Sequence, residues 1–136
     1  MCGICGFVSK REISLDKLKE MNDTMYHRGP DDSGEEIYEI SGGYRAGFAQ
    51  RRLSIMDLSA LGHQPMHSDN GRISVVFNGE IYNFQDIRKE LSGYTFQSNC
   101  DTEVIIAAYL EWGIGCVERF VGMYAIALLD RDCGEV

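Results

Sequence analysis

The second residue of this chain is a cysteine, in the run Met1-Cys2-Gly3-Ile4-Cys5-Gly6. A small residue at position two permits removal of the initiator methionine, which leaves Cys2 with a thiol and a free α-amine. The thiol is a strong nucleophile once ionised, and an α-amine titrates near pH ~8. One residue can then supply both nucleophile and general base, the N-terminal form of an activated nucleophile. The plainer alternative is a small buried hydrophobe near a terminus. Position alone favours that alternative, and other segments overturn it. A redox or zinc role for Cys2-x-x-Cys5 is disfavoured, because no second C-x-x-C or H-x-x-x-H completes a metal set and a redox pair should open a helix.

Three further segments carry chemistry. Asn78-Gly79-Glu80-Ile81-Tyr82-Asn83 contains Asn-Gly, a strong hairpin signal. A turn is the first alternative there, but the strand that should follow is poor, since Asn83 can start a helix. The chemical use is an oxyanion hole, in which an Asn side-chain amide and a Gly backbone N–H converge on developing charge. Arg51-Arg52-Leu53-Ser54-Ile55 places a guanidinium at a strand end, and Asp101-Thr102-Glu103 places a carboxylate at a helix start. Each alone reads as a solvated charge or a cap. Together they suit an α-amino acid, because Arg forks onto an α-carboxylate and Asp accepts from an α-ammonium. His27-Arg28-Gly29-Pro30-Asp31 contains a lone histidine, read as a local hydrogen-bonding residue rather than a base.

The elements that position these residues follow from periodicity. Cys2 to Val8 is Gly-rich and apolar, a buried strand. Ser14 can cap a helix with Leu15, Leu18, Met21 and Met25 on one face, ended at Arg28-Gly29-Pro30. Glu36–Ile40 and Tyr44–Gln50 flank Ser41-Gly42-Gly43, a hairpin. Ile73–Asn78 is another strand. Asn83 can cap a helix carrying Phe84, Ile87 and Leu91. A stronger helix runs from Asp101 or Thr102 through Trp112 and closes at Gly113. Met123–Leu129 is near-continuously apolar and reads as a central strand, with Glu135-Val136 beginning a hairpin partner. Strands at both ends with helices between them point to α+β with mostly antiparallel sheets.

The chain has 136 residues, 44% hydrophobic and 25% charged, with net charge −8. That size suits one domain. The acidic balance without a Lys/Arg block disfavours nucleic acid or an anionic membrane as partner. No apolar run approaches the ~20 residues of a membrane span, and no signal peptide is evident. Five cysteines without a signal peptide should stay reduced, so cytoplasm is the expected location.

Met1-Cys2-Gly3-Ile4, His27–Asp31, Arg52-Leu53-Ser54-Ile55, Asn78–Asn83 and Asp101-Thr102-Glu103 occur in that order over the whole chain. This set resembles the N-terminal glutaminase domain of glutamine-hydrolysing asparagine synthetases, a class II (Ntn-hydrolase) glutamine amidotransferase. Its wording is closer to that branch than to glucosamine-phosphate synthase or phosphoribosyl-pyrophosphate amidotransferase. The resemblance implies a four-layer α/β/β/α sandwich of antiparallel sheets. It implies Cys2 as nucleophile with its own amine as base, and Asn78 with the Gly79 N–H as oxyanion hole. Arg52, Leu53, Ser54, Ile55, Met56, Glu80 and Asp101, with Asn78 and Gly79, would bind L-glutamine. It implies no metal or cofactor for this domain, and ATP and magnesium for a C-terminal synthetase domain. Residues 1–136 would form the glutaminase domain, C-terminally incomplete and lacking the synthetase domain; a homodimer is left open. The implied reaction is glutamine hydrolysis through a γ-glutamyl thioester, supplying ammonia to aspartate. Two alternatives stand beside it: a related amidotransferase acting on another carboxylate in polysaccharide or antibiotic synthesis, and a non-catalytic glutamine-binding or docking module.

Overall fold

A computed structural model describes residues 2–53 and 60–136. Ser14 Oγ accepts from the Lys17 N–H at 3.2 Å and so caps α1, Leu15–Asp23. Leu18 is fully buried while Leu15 stays half-exposed. The helix is shorter than its apolar spacing predicts. Thr24 Oγ1 donates to the Met21 carbonyl and the Met25 N–H bonds three residues back to Asn22, which closes α1 before Met25. A separate 3₁₀ turn, Tyr26–Arg28, follows.

Strands β1 (Gly3–Ser9), β2 (Asp32–Ile40) and β3 (Tyr44–Arg52) form an antiparallel sheet in the order β1-β3-β2. The β2–β3 hairpin turns through Gly42 and Gly43, whose φ angles of 71° and 74° suit glycine. A second antiparallel sheet has the order β4-β5-β6, from Met66–His67, Ile73–Ile81 and Gly122–Asp130. Here Asn78-Gly79 is not a turn, because β5 runs straight through it to Ile81.

Alternation along β5 assigns its two faces. Ile73, Val75 and Phe77 pack on helices α2 (Phe84–Glu90) and α3 (Asp101–Trp112), whereas Val76 packs on Tyr38, Ala46 and Phe48 of the first sheet. With α1 against the first sheet, the result is the expected α/β/β/α stack. Helix α3 is buried on every side from Val104 to Ala108 and closes at Gly113, φ 62°. Each fully buried Ile or Val contributes about 1.5–3 kcal/mol. An exposed ion pair such as Lys17–Glu20 adds about 0–1 kcal/mol, so the β5–α3 contact fixes the frame.

Two expectations are corrected. Asn83 does occupy the N-cap of α2, but its side chain makes no cap hydrogen bond; it donates to the Arg119 carbonyl at 2.9 Å and accepts from the Val121 N–H at 2.9 Å. A long-range tie thus replaces the local one. Strand β6 lies at a sheet edge among the described residues rather than at the centre, with Met123 67% exposed and only its far end, at Leu129 and Asp130, buried. An apolar run does not by itself distinguish edge from centre. A single bridge joins Asp130 to Glu135 beyond it.

Candidate active site

Cys2 stands one residue before β1, and since Gly3 pairs with Arg51, it enters beside the end of β3. Its Sγ accepts from the Leu53 N–H at 3.4 Å and lies 3.7 Å from the Leu53 carbonyl. These contacts hold the thiol over the strand end that carries Arg52. The His27–Asp31 stretch supports the same corner. Arg28 Nε donates to the Cys2 carbonyl at 2.9 Å, and the Asp31 N–H donates to the Arg52 carbonyl at 3.1 Å. Gly29 lies flat on the Arg51–Arg52 main chain, where a Cβ would come within 2.5 Å of Arg51. His27 itself is exposed and stands apart from the cavity.

Facing this corner is the free edge of β5. Antiparallel backbone groups alternate in direction, and the ladder to β6 uses the even-numbered residues. The amides of Phe77, Gly79 and Ile81 therefore point away from β6. Asn78 shares the Val76 face, towards the first sheet and Cys2. A Cβ on Gly79 would collide with the Met123 carbonyl and the Tyr124 Cα, so the close β5–β6 approach requires glycine there.

The other wall holds the charges. Arg52 is 9% exposed, and Gly62 packs so tightly on its guanidinium that a Cβ would overlap it. Asp101 opens α3 and accepts from the Ile81 N–H at 3.1 Å. Burial pushes its carboxyl above the usual aspartate range, opposed by N–H donors from Ile81, Asp101 and Thr102, with Glu80 nearby pushing the same way as burial. The turn before α3 is fixed by buried Glu103, which accepts from the N–H groups of Gln97 and Ser98 at 2.7 Å each and from Ser98 Oγ at 2.6 Å. A carboxylate at this third helical position ties the preceding turn to the helix start.

These walls enclose a cavity of about 210 Å³. It is smaller than the roughly 300–1,000 Å³ typical of drug-sized ligands and suits one small molecule. Cys2, Arg52, Leu53, Asn78, Gly79, Glu80 and Asp101 all line it. Ser54, Ile55 and Met56 lie outside the described residues. Thr102, inside the Asp101–Glu103 segment, also lines the cavity, as do Gln50, Gly62, Gln64, Phe77, Cys100 and Met123, which carry no motif that marks them in the sequence. Cys5 stands outside it, its thiol pushed up by burial and by Glu35, and all five cysteines are free.

A thiol, a glycine amide, an asparagine and an Arg/carboxylate pair around one small cavity suit acyl transfer on an amino acid. The glutamine amidotransferase domain matches residues 1–136 in full. The chain belongs to that family. Among relatives of this glutamine amidotransferase domain, asparagine synthetase [glutamine-hydrolyzing] 2 of Bacillus subtilis is 40% identical, covering 100% of this chain and 18% of the relative. A putative asparagine synthetase [glutamine-hydrolyzing] 2 of Methanocaldococcus jannaschii is 37% identical, covering 100% and 29%. The amidotransferase domain thus spans less than a third of either relative. Its fold matches glutamine phosphoribosylpyrophosphate amidotransferase from B. subtilis with a TM-score of 0.74, over 94% of this chain and 35% of that one, at 16% identity. No helix among the described residues is long and apolar enough to cross a membrane.

Proposed function

We propose that this domain hydrolyses the side-chain amide of L-glutamine, with Cys2 as nucleophile. Once Met1 is removed, the Cys2 α-amine accepts the thiol proton and the thiolate attacks the amide carbon. The resulting oxyanion is held by the Asn78 side-chain amide and the Gly79 N–H. The protonated amine then donates to departing ammonia, leaving a γ-glutamyl thioester. Water, deprotonated by the same amine, attacks the thioester, and glutamate leaves with the thiol restored. Arg52 takes the α-carboxylate, Asp101 and Glu80 take the α-ammonium, and main-chain groups of residues 53–56 complete the grip.

The observation that carries this reading is the convergence of Cys2, Asn78, Gly79, Arg52 and Asp101 on one cavity. A binding or docking module has no need of a nucleophile opposite an oxyanion donor. In the longer protein, the ammonia passes to a synthetase domain that uses ATP and magnesium, and aspartate is the simplest acceptor.

The test uses the full-length enzyme. Cys2→Ala should abolish glutamine-dependent turnover and spare ammonia-dependent turnover, since the two half-reactions sit in separate domains. Loss of both in a folded variant would sink the assignment.

A further inference from the structure

The three amides on the free edge of β5 meet different partners. The Phe77 N–H donates to Gln64 Oε1 at 2.7 Å, and the Ile81 N–H donates to Asp101 Oδ2 at 3.1 Å. The Gly79 amide lies between them and faces the cavity. Strand β4 pairs only Met66 with Val75 and His67 with Ser74. Sheet pairing therefore runs out one step before Phe77, and a side chain takes over. Gln64 is 4% exposed, and its Nε2 continues to Thr102 Oγ1 at 3.2 Å, beside Asp101. On the same edge, Gln50 Nε2 donates to the Phe77 carbonyl at 3.2 Å.

We infer that Gln64 is a positioning residue for the glutamine hydrolysis proposed above, acting through the Phe77 peptide to aim the Gly79 N–H and the Asn78 amide. The inference rests on that reading of the site. Its physical basis is the freedom of glycine: at φ 158°, Gly79 has no side chain to fix its own orientation, so its neighbours must impose it. With its N–H held by Gln64 and its carbonyl by Gln50, the peptide groups on both sides of Phe77 are each anchored by a buried side chain. Asp101 pins Ile81 on the other side. The same Gln64 amide joins the oxyanion strand to the helix start that carries Asp101, so the two ends of the substrate are registered by one buried side chain.

The test is steady-state glutamine hydrolysis by the full-length enzyme carrying Gln64→Met, which keeps the volume and removes both hydrogen bonds. The expected result is a fall in kcat of about 10–100-fold with KM within about twofold, as for misplacement of a reacting group. The γ-aldehyde analogue of glutamine, whose carbonyl carbon is attacked by the Cys2 thiolate to give a tetrahedral adduct, should lose affinity by the same factor as kcat. Glutamate, which forms no adduct, should bind as before. Unchanged kcat, or equal losses for aldehyde and glutamate, would overturn the inference in favour of simple packing. Should Gln64→Met not fold, Thr102→Val decides, since it removes only the Nε2 anchor. A kcat fall of about threefold at constant KM supports the inference, and unchanged kcat overturns it. Hydrolysis that survives Cys2→Ala would instead overturn the underlying reading, whatever the Gln64 variants do.

Discussion

Arg28 Nε donates to the main-chain carbonyl of Cys2 at 2.9 Å, across 26 positions of sequence. The main chain of the proposed nucleophile is therefore held by the turn that follows α1, which fixes the point from which the thiol reaches Leu53. A hydrogen bond from a charged donor contributes about 1.5–3 kcal/mol. Arg28→Ala is expected to lower kcat for glutamate release about 10–100-fold, while Arg28→Lys recovers part of it. Equal activity in both variants and the parent chain would show that the Cys2 peptide needs no such anchor.

Asn78 and the charged pair should separate kinetically. On the proposed mechanism, Asn78→Ala removes a donor to the transition state, so kcat should fall about 10²–10³-fold with little change in glutamine affinity. On the same proposal, Arg52 and Asp101 hold the non-reacting end, so Arg52→Ala and Asp101→Ala should chiefly raise KM. If Asn78→Ala raised only KM, Asn78 would be a binding residue instead.

Gly79→Ala tests the close approach of β5 and β6. Its Cβ would meet the Met123 carbonyl and the Tyr124 Cα, so the strands must part. Overpacking of this kind costs about 1–3 kcal/mol. A lowered thermal midpoint should accompany a kcat loss at least as large as that of Asn78→Ala. A variant with parent stability and activity would contradict the geometry.

The parts of this site that were legible in the sequence were those whose residue types announce their chemistry. Cys2, Asn78-Gly79 and the Arg52/Asp101 pair carried a reason in their own functional groups. Strand β5 and helix α3 were legible from local pattern, because apolar runs and a closing Gly113 act over short distances. The supporting residues were not legible. Gln50 and Gln64 act on Phe77 across 27 and 13 positions, and Arg28 acts on Cys2 across 26. Nothing local distinguishes a glutamine that bridges two elements from one in solvent. The same reason misled the reading of Asn83, whose side chain is taken by Arg119 and Val121. It also hid the edge position that β6 takes among the described residues, since an apolar run does not say which strands lie beside it.

Asp101 couples affinity to pH and stability. Burial raises its carboxyl above the usual aspartate range, so it protonates at a higher pH than an exposed aspartate. In the proposed binding mode, only the ionised form pairs with the substrate α-ammonium. KM for glutamine should therefore rise on acidification, starting above the range where ordinary aspartates titrate. The sign for folding is opposite: with the folded value above the unfolded one, its contribution to stability is fully present at low pH and lost as pH rises through the folded value. Asp101→Asn should thus melt higher than the parent at neutral pH while binding glutamine worse. A lower midpoint would mean that the Ile81 hydrogen bond outweighs the cost of burying the charge.

In the proposed mechanism, Met1 governs whether the base exists at all. While Met1 remains, the Cys2 nitrogen is a peptide nitrogen, which cannot accept a proton near neutral pH. The nearest free amine then belongs to the preceding residue and is no longer the Cys2 amine that the proposed mechanism uses as base. Chains retaining Met1 should be inert as glutaminases even with Asn78, Gly79, Arg52 and Asp101 intact. Intact mass spectrometry after treatment with a glutamine-analogue electrophile separates the two populations. The Met-free chains should gain the label, on Cys2, and the Met1-bearing chains should not. Equal labelling of both would remove the α-amine from the mechanism and leave Cys2 in need of another base.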